Sequence, residues 1–143
     1  MIQRIQTIFL FLAAVAAGAL YAVPLATTTE AEPASALFAD AAFEVQDGPV
    51  MMGTFGVAAL LMLVTIFLFR NRILQMNMTK IALFIAAIGV GVGAYRFFVD
   101  QAMDKAQPAL GIGLAVLVLI LGILAHRAIN KDEKLVKSID RLR

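Results

Sequence analysis

The sequence predicts an all-α protein: a four-transmembrane-helix bundle with both termini cytoplasmic and a C-terminal amphipathic helix. Three observations lead there. Of 143 residues, 62% are hydrophobic and only 15% charged, against about 45–50% and about 25% in soluble domains, so the chain has too few polar groups to cover a surface in water. The apolar residues gather into four blocks, Ile5–Leu25, Pro49–Phe69, Ile81–Val99 and Ala109–Ala125. About 20 helical residues cross about 30 Å of hydrocarbon, and a lone strand in lipid would leave its backbone groups unpaired. Finally, the charges sort to two sides of the blocks.

The first block also resembles a secretory leader, with Ala17 and Ala19 suited to a cleavage site. Its removal would leave three spans and reverse the charge logic at one end, so it is expected to stay. The second block opens on Pro49 and the fourth follows Pro108, both suited to a first helical turn, where an N–H has no partner anyway. Thr79 is placed to cap the third helix. Between the first two spans runs a loop of more than twenty residues, 26–48. Its Leu37, Phe38 and Phe43 are expected to fold down onto the bundle. The short connection "RNRILQMNMTK" makes spans two and three antiparallel neighbours.

Charge sets the direction. Arg4, Arg70, Arg72, Lys80, Arg127, Lys131, Lys134, Lys137, Arg141 and Arg143 fall on one side with only Asp132, Glu133 and Asp140. The opposite side holds Glu30, Glu32, Asp40, Glu44, Asp47, Asp100 and Asp104 against Arg96 and Lys105. Basic residues stay cytoplasmic. The net charge is only +2, and the placement of the basic residues beside apolar blocks is a topology signal, with no nucleic acid implied. The absence of cysteine excludes disulfides and thiolate metal sites.

Within the third span Ala82, Ala86, Gly89 and Gly93 recur at spacings of four, three and four, one helix face that lets backbones approach closely. The row serves either packing inside the bundle or a seam with a second copy or another membrane protein. Tyr95 and Arg96 follow at the outer interface, where Arg96 snorkels outward and Asp100, four residues on, is placed to pair with it. The alternative for Arg96 is a substrate pathway. His126 reads as an interfacial residue, since a metal site needs further ligands. No nucleophile–base set, paired carboxylates or phosphate loop is present, and "GVGVG" lacks the dinucleotide spacing. No enzyme, cofactor or metal is expected.

In the tail, 127–143, Leu135, Ile139 and Leu142 fall at helical spacing while Lys131, Lys134, Lys137 and Arg141 take other faces. Such a helix lies on the anionic inner leaflet, docks a cytoplasmic partner, or simply extends the fourth helix into solvent. The two ends carry a resemblance. "MIQRIQT", then "VPLATTT" after the first span, and "RAINKDEKLVKSIDRLR" at the close resemble an uncharacterised family of small bacterial four-span integral membrane proteins. The resemblance implies the fold and a bacterial inner membrane, with Ile2–Thr7 and Lys131–Arg143 as the family-defining segments. It supplies no catalytic residue. The function these readings favour is a non-catalytic accessory or assembly subunit of a larger membrane complex, whose partners are the bilayer and other integral membrane proteins or itself. A small oligomeric channel or transporter is the alternative.

Overall fold

The structure, a computed structural model, describes residues 3–140, and side chains over 5–138. Ile2, Arg141, Leu142 and Arg143, with the side chains of Arg4, Ile139 and Asp140, all named above, lie outside that range. The fold is mainly helical. Four helices, α1 (Gln3–Ala19), α2 (Pro49–Phe67), α3 (Arg72–Val99) and α4 (Leu110–Asp140), form a ring in which α1 packs on α2 and α4, and α3 on the other side of the same two. Three of them, α2, α3 and α4, are long and apolar enough to cross a membrane; the apolar part of α1, Ile5–Ala19, is shorter.

Each helix buries a row of residues at alternating spacings of three and four, as a 3.6-residue period requires, and α1 buries Ala14 and Ala16 beside its row. The rows are Gln6, Leu10, Ala13, Ala17 and Leu20 in and just beyond α1, and Met51, Phe55, Ala58, Met62 and Thr65 in α2. In α3 the row is Gln75, Thr79, Ala82, Ala86, Gly89 and Gly93; in α4 it passes through Val118, Gly122, Ala125, Ile129 and Asp132.

At one end of the bundle three two-residue strands form a small antiparallel sheet in the order β2-β1-β3: β1 (Ala26–Thr27), β2 (Ala42–Phe43) and β3 (Gln107–Pro108). Ala26 pairs with both Phe43 and Pro108. This sheet joins the 26–48 loop to the connection before α4, so that end is called the cap end, and the other, where α4 finishes, the tail end.

The elements differ from expectation in four places, each for a local reason. The first helix ends at Ala19, short of Leu25, because Pro24 disfavours helix at the residue before it and Leu25 N–H donates to the Phe43 carbonyl at 2.7 Å. The second connection is a turn over 68–71, and α3 starts at Arg72 instead of Ile81. "RILQMNMTK" contains no glycine or proline and several strong helix formers, and the helix is capped by Asn71, whose side chain accepts from Leu74 N at 3.1 Å. Thr79 is therefore mid-helix, donating to the Gln75 carbonyl at 2.9 Å. Pro108 lies in β3, exposed, with α4 beginning two residues later. The tail is no separate element: α4 runs unbroken to Asp140, supported by a Glu133–Lys137 pair at 3.2 Å.

Candidate functional site

The cap is built on the loop that hydrophobicity brings down. Leu37, Phe38 and Phe43 are buried, Phe38 completely. The Phe38 ring meets Phe43 at 6.2 Å and Phe97 of α3 at 6.4 Å, both edge-on, the arrangement aromatic quadrupoles favour. Ser35 fixes the turn before it. Its hydroxyl accepts from Leu37 N at 3.1 Å and Phe38 N at 2.9 Å, and donates to Asp100 Oδ1 at 2.7 Å.

That last contact corrects the expected Arg96–Asp100 pair. Asp100 is the residue after α3, with φ −72° and ψ 141°, so it has left the helical register that would set it one turn above Arg96. Its carboxylate faces the loop and its own Ala102 N–H, 2.9 Å away. Arg96 instead donates to the Asp47 carbonyl at 2.8 Å, over Gly48, where a Cβ would stand 2.5 Å from the guanidinium. Arg96 thus braces α3 to the N-terminus of α2. Tyr95 is 69% exposed. Tyr21, the other tyrosine, sits at the same end and donates its hydroxyl to the Met52 carbonyl.

Burial alone would raise the Asp100 carboxyl, but hydrogen bonds from Ala102 N–H and the Ser35 hydroxyl, with the Leu37 and Ala36 backbone beside them, outweigh it and hold it below its ordinary 3.8. A carboxyl depressed by folding stabilises the fold above its unfolded value, and that contribution fades as pH drops through the folded one. Thermal unfolding of the detergent-solubilised protein should therefore find Asp100→Asn weaker than wild type at neutral pH. The difference should shrink below pH 3.8.

Under the cap, between α2, α3, α4 and the sheet, lies a cleft of about 260 Å³ lined by apolar residues, among them Phe43, Met51, Phe55, Gly89, Gly93 and Phe97. The Ala82–Ala86–Gly89–Gly93 row faces into the bundle here. A Cβ on Gly89 would stand 2.5 Å from Thr54 Oγ1 and 3.1 Å from the Phe55 ring, and one on Gly93 would touch Met51. A different small-residue row, Ala87, Gly91 and Ala94, is exposed on the outside of α3 between Phe84 and Tyr95, and nothing lies within 4 Å of a Cβ at Gly91.

At the tail end every buried row turns polar. Gln6, Thr65, Gln75, Thr79 and Asp132 are all buried there, one or two from each helix. Gln75 Nε2 donates to the Thr65 carbonyl at 3.1 Å, and the Thr65 hydroxyl to the Leu61 carbonyl at 2.6 Å. Among the described residues, Gln6 Oε1, Gln75 Oε1 and His126 Nδ1 are buried with no hydrogen-bond partner. Sequence reasoning missed this layer because it looked for ionisable groups. The visible signal was the same three–four spacing, which continues from Gly93 back through Ala82 to Thr79 and Gln75. An unpartnered carbonyl costs about 1–3 kcal/mol to bury, so Gln6→Met, similar in volume, should leave the thermal midpoint unchanged or raised; a clear fall would show that the carboxamide is paired.

Of the tail residues singled out, Lys131, Lys134, Leu135 and Lys137 are exposed along α4. Among the described residues no group of three or more His, Cys, Asp or Glu is placed to hold a metal ion.

The model of the family described as "Domain of unknown function (DUF4293)" matches residues 2–142, nearly the entire chain. The chain belongs to that family. No curated protein and no solved structure matches it, so the cap, the apolar cleft and the polar layer are what the DUF4293 fold offers for a functional reading.

Proposed function

We propose that this DUF4293 protein is a four-span protein of the bacterial inner membrane, both ends cytoplasmic, and a non-catalytic accessory or assembly subunit of a larger membrane complex. In this reading α1 crosses with the other three, its alanine-rich face being packed into the ring, and the cap lies outside. The supporting observation is on α3. Its buried small-residue row is spent inside the chain, yet a second one, Ala87–Gly91–Ala94, faces outward between two large aromatic side chains, Phe84 and Tyr95, each 69% exposed. In lipid, helices associate by close packing where small residues let backbones approach, and lipid alone does not need a notch.

The test is purification from native membranes in mild detergent, with mass spectrometry and a size estimate, for wild type and Gly91→Leu. The expected result is stoichiometric recovery of other membrane proteins with wild type and their loss with Gly91→Leu, the variant's thermal midpoint not falling, because nothing in the chain lies within 4 Å of a Cβ at Gly91 and leucine favours helix over glycine. A lone monomer would overturn the reading. A defined oligomer of this chain alone would favour a pore, and ion flux in liposomes, lost on Arg96→Ala, would establish it.

A further inference from the structure

The outward side of α4 carries one continuous row that changes character at a defined height. Leu117, Ile120, Leu124, Arg127, Lys131 and Lys134 follow spacings of three, four, three, four and three, and all six are exposed. They lie opposite the row that α4 buries through Val118, Ala125, Ile129 and Asp132. The row is aliphatic up to Leu124 and cationic from Arg127 on. Arg127 stands seventeen residues beyond Leu110, about 26 Å along the helix at 1.5 Å per residue, close to where about 30 Å of hydrocarbon ends.

The two acids of this segment whose side chains are described, Asp132 and Glu133, are turned away from the row. Asp132 is buried on the bundle side, and its carbonyl accepts from Arg72 at 3.4 Å. Glu133 is engaged by Lys137. Among the described residues neither Arg127, Lys131 nor Lys134 forms an ion pair. Instead, together with Asn130 and Leu135, they border a groove of about 350 Å³. Because α4 continues straight from the span, these cations are held at that height by the bundle and do not depend on a tail lying down on the surface.

We propose that this row binds one anionic phospholipid, an acyl chain along Leu117, Ile120 and Leu124 and the phosphate among Arg127, Lys131 and Lys134. Asn130 adds an amide donor beside the phosphate. The guanidinium of Arg127 suits a phosphate oxygen pair, and the lysines add point charge. A lipid is the occupant that fits because the cationic groove continues the aliphatic row without a break. An acidic protein segment would match the charges but not the hydrocarbon-facing half. The inference rests on α4 crossing the membrane and is independent of the accessory role.

The experiment is native mass spectrometry of the purified full chain, titrated in detergent with phosphatidylglycerol or phosphatidylcholine of identical acyl chains. Wild type should retain one phosphatidylglycerol in preference to phosphatidylcholine by about tenfold or more, each basic residue near an anionic headgroup contributing severalfold. The exposed triple variant Arg127→Gln, Lys131→Gln, Lys134→Gln should lose the preference, while Lys137→Gln, off the row, should keep it. Circular dichroism checks that the variants remain helical. Equal retention of both lipids by wild type would overturn the proposal, as would an unchanged preference in the triple variant. Displacement of the lipid by millimolar inorganic phosphate would also overturn it, since the aliphatic half would then contribute nothing. Binding of a polyglutamate peptide in place of phosphatidylglycerol would reassign the groove to an acidic protein partner.

Discussion

Gly111→Ala is expected to destabilise the protein by about 1–3 kcal/mol, the usual cost of forcing an extra carbon into a packed site. A Cβ there would lie 2.5 Å from the Pro24 carbonyl oxygen, 2.9 Å from its carbon and 3.0 Å from Leu25 Cα. All three are backbone atoms, and none can swing aside as a side chain does. Gly111 N–H donates to that same oxygen at 2.9 Å, Ala109 N–H donates to the Leu25 carbonyl at 3.0 Å, and the next residue, Ala26, is paired on both sides in the sheet. Relief therefore requires moving the start of α4 or breaking the sheet. Gly113→Ala is the matched control. Nothing lies within 4 Å of its Cβ, so it should gain a part of the roughly 1 kcal/mol by which alanine exceeds glycine in a helix. Thermal unfolding in detergent should separate the two in opposite directions. Equal midpoints would mean that the linker before β1 is not seated against α4.

Phe38→Ala is expected to cost more, about 3–5 kcal/mol, in the range for emptying a buried phenylalanine site. The position matters as much as the residue. Apolar side chains facing lipid gain little from burial, because lipid is as apolar as the protein interior. In the four-span reading Phe38 is in a loop outside the membrane, whose alternative environment is water, so the full hydrophobic term applies. Its ring also meets both β2, through Phe43, and α3, through Phe97. Its loss should free residues 28–41 to proteolysis and rapid hydrogen exchange while α2, α3 and α4 keep their protection. A uniform loss of protection throughout the bundle would show that the cap and the helices unfold as one unit.

Much of this fold is legible in the sequence, and the boundary of legibility has physical causes. Apolar blocks, Pro49 at the first turn of α2 and the small-residue row of α3 are local, periodic signals, and the structure has helices in all four places. The descent of Leu37, Phe38 and Phe43 follows from hydrophobicity alone. The sheet has no such signal. Two-residue strands show no alternation, and β3 pairs with β1 across eighty residues of sequence. The start of α3 lies outside the apolar block because hydropathy falls at Arg72–Lys80 while helix propensity does not. Arg96 went to Asp47 and not to Asp100 because the helix stops at Val99, and spacing rules hold only inside a helix. The polar layer at Gln6, Thr65, Gln75 and Asp132 followed the expected period but carried neither a motif nor, save at Asp132, an ionisable side chain. As for the site, Ala82, Ala86, Gly89 and Gly93 on α3 are buried within the chain while Tyr95 is exposed, and Lys131 and Lys134 on α4 border the basic groove.

The absence of cysteine from all 143 residues makes the chain its own background for the measurement that bears most directly on the four-span reading. Single cysteines are introduced at Thr29, Asn71, Gln101 and Ser138, each an exposed position, and one is appended ahead of Met1. Each is treated with a membrane-impermeant maleimide before and after permeabilisation. Labelling of Thr29→Cys and Gln101→Cys in intact cells, with the other three reacting only after permeabilisation, is the expected result. An N-terminal cysteine that labels from outside together with Thr29→Cys would contradict it, leaving α1 as a helix that packs on the bundle without crossing.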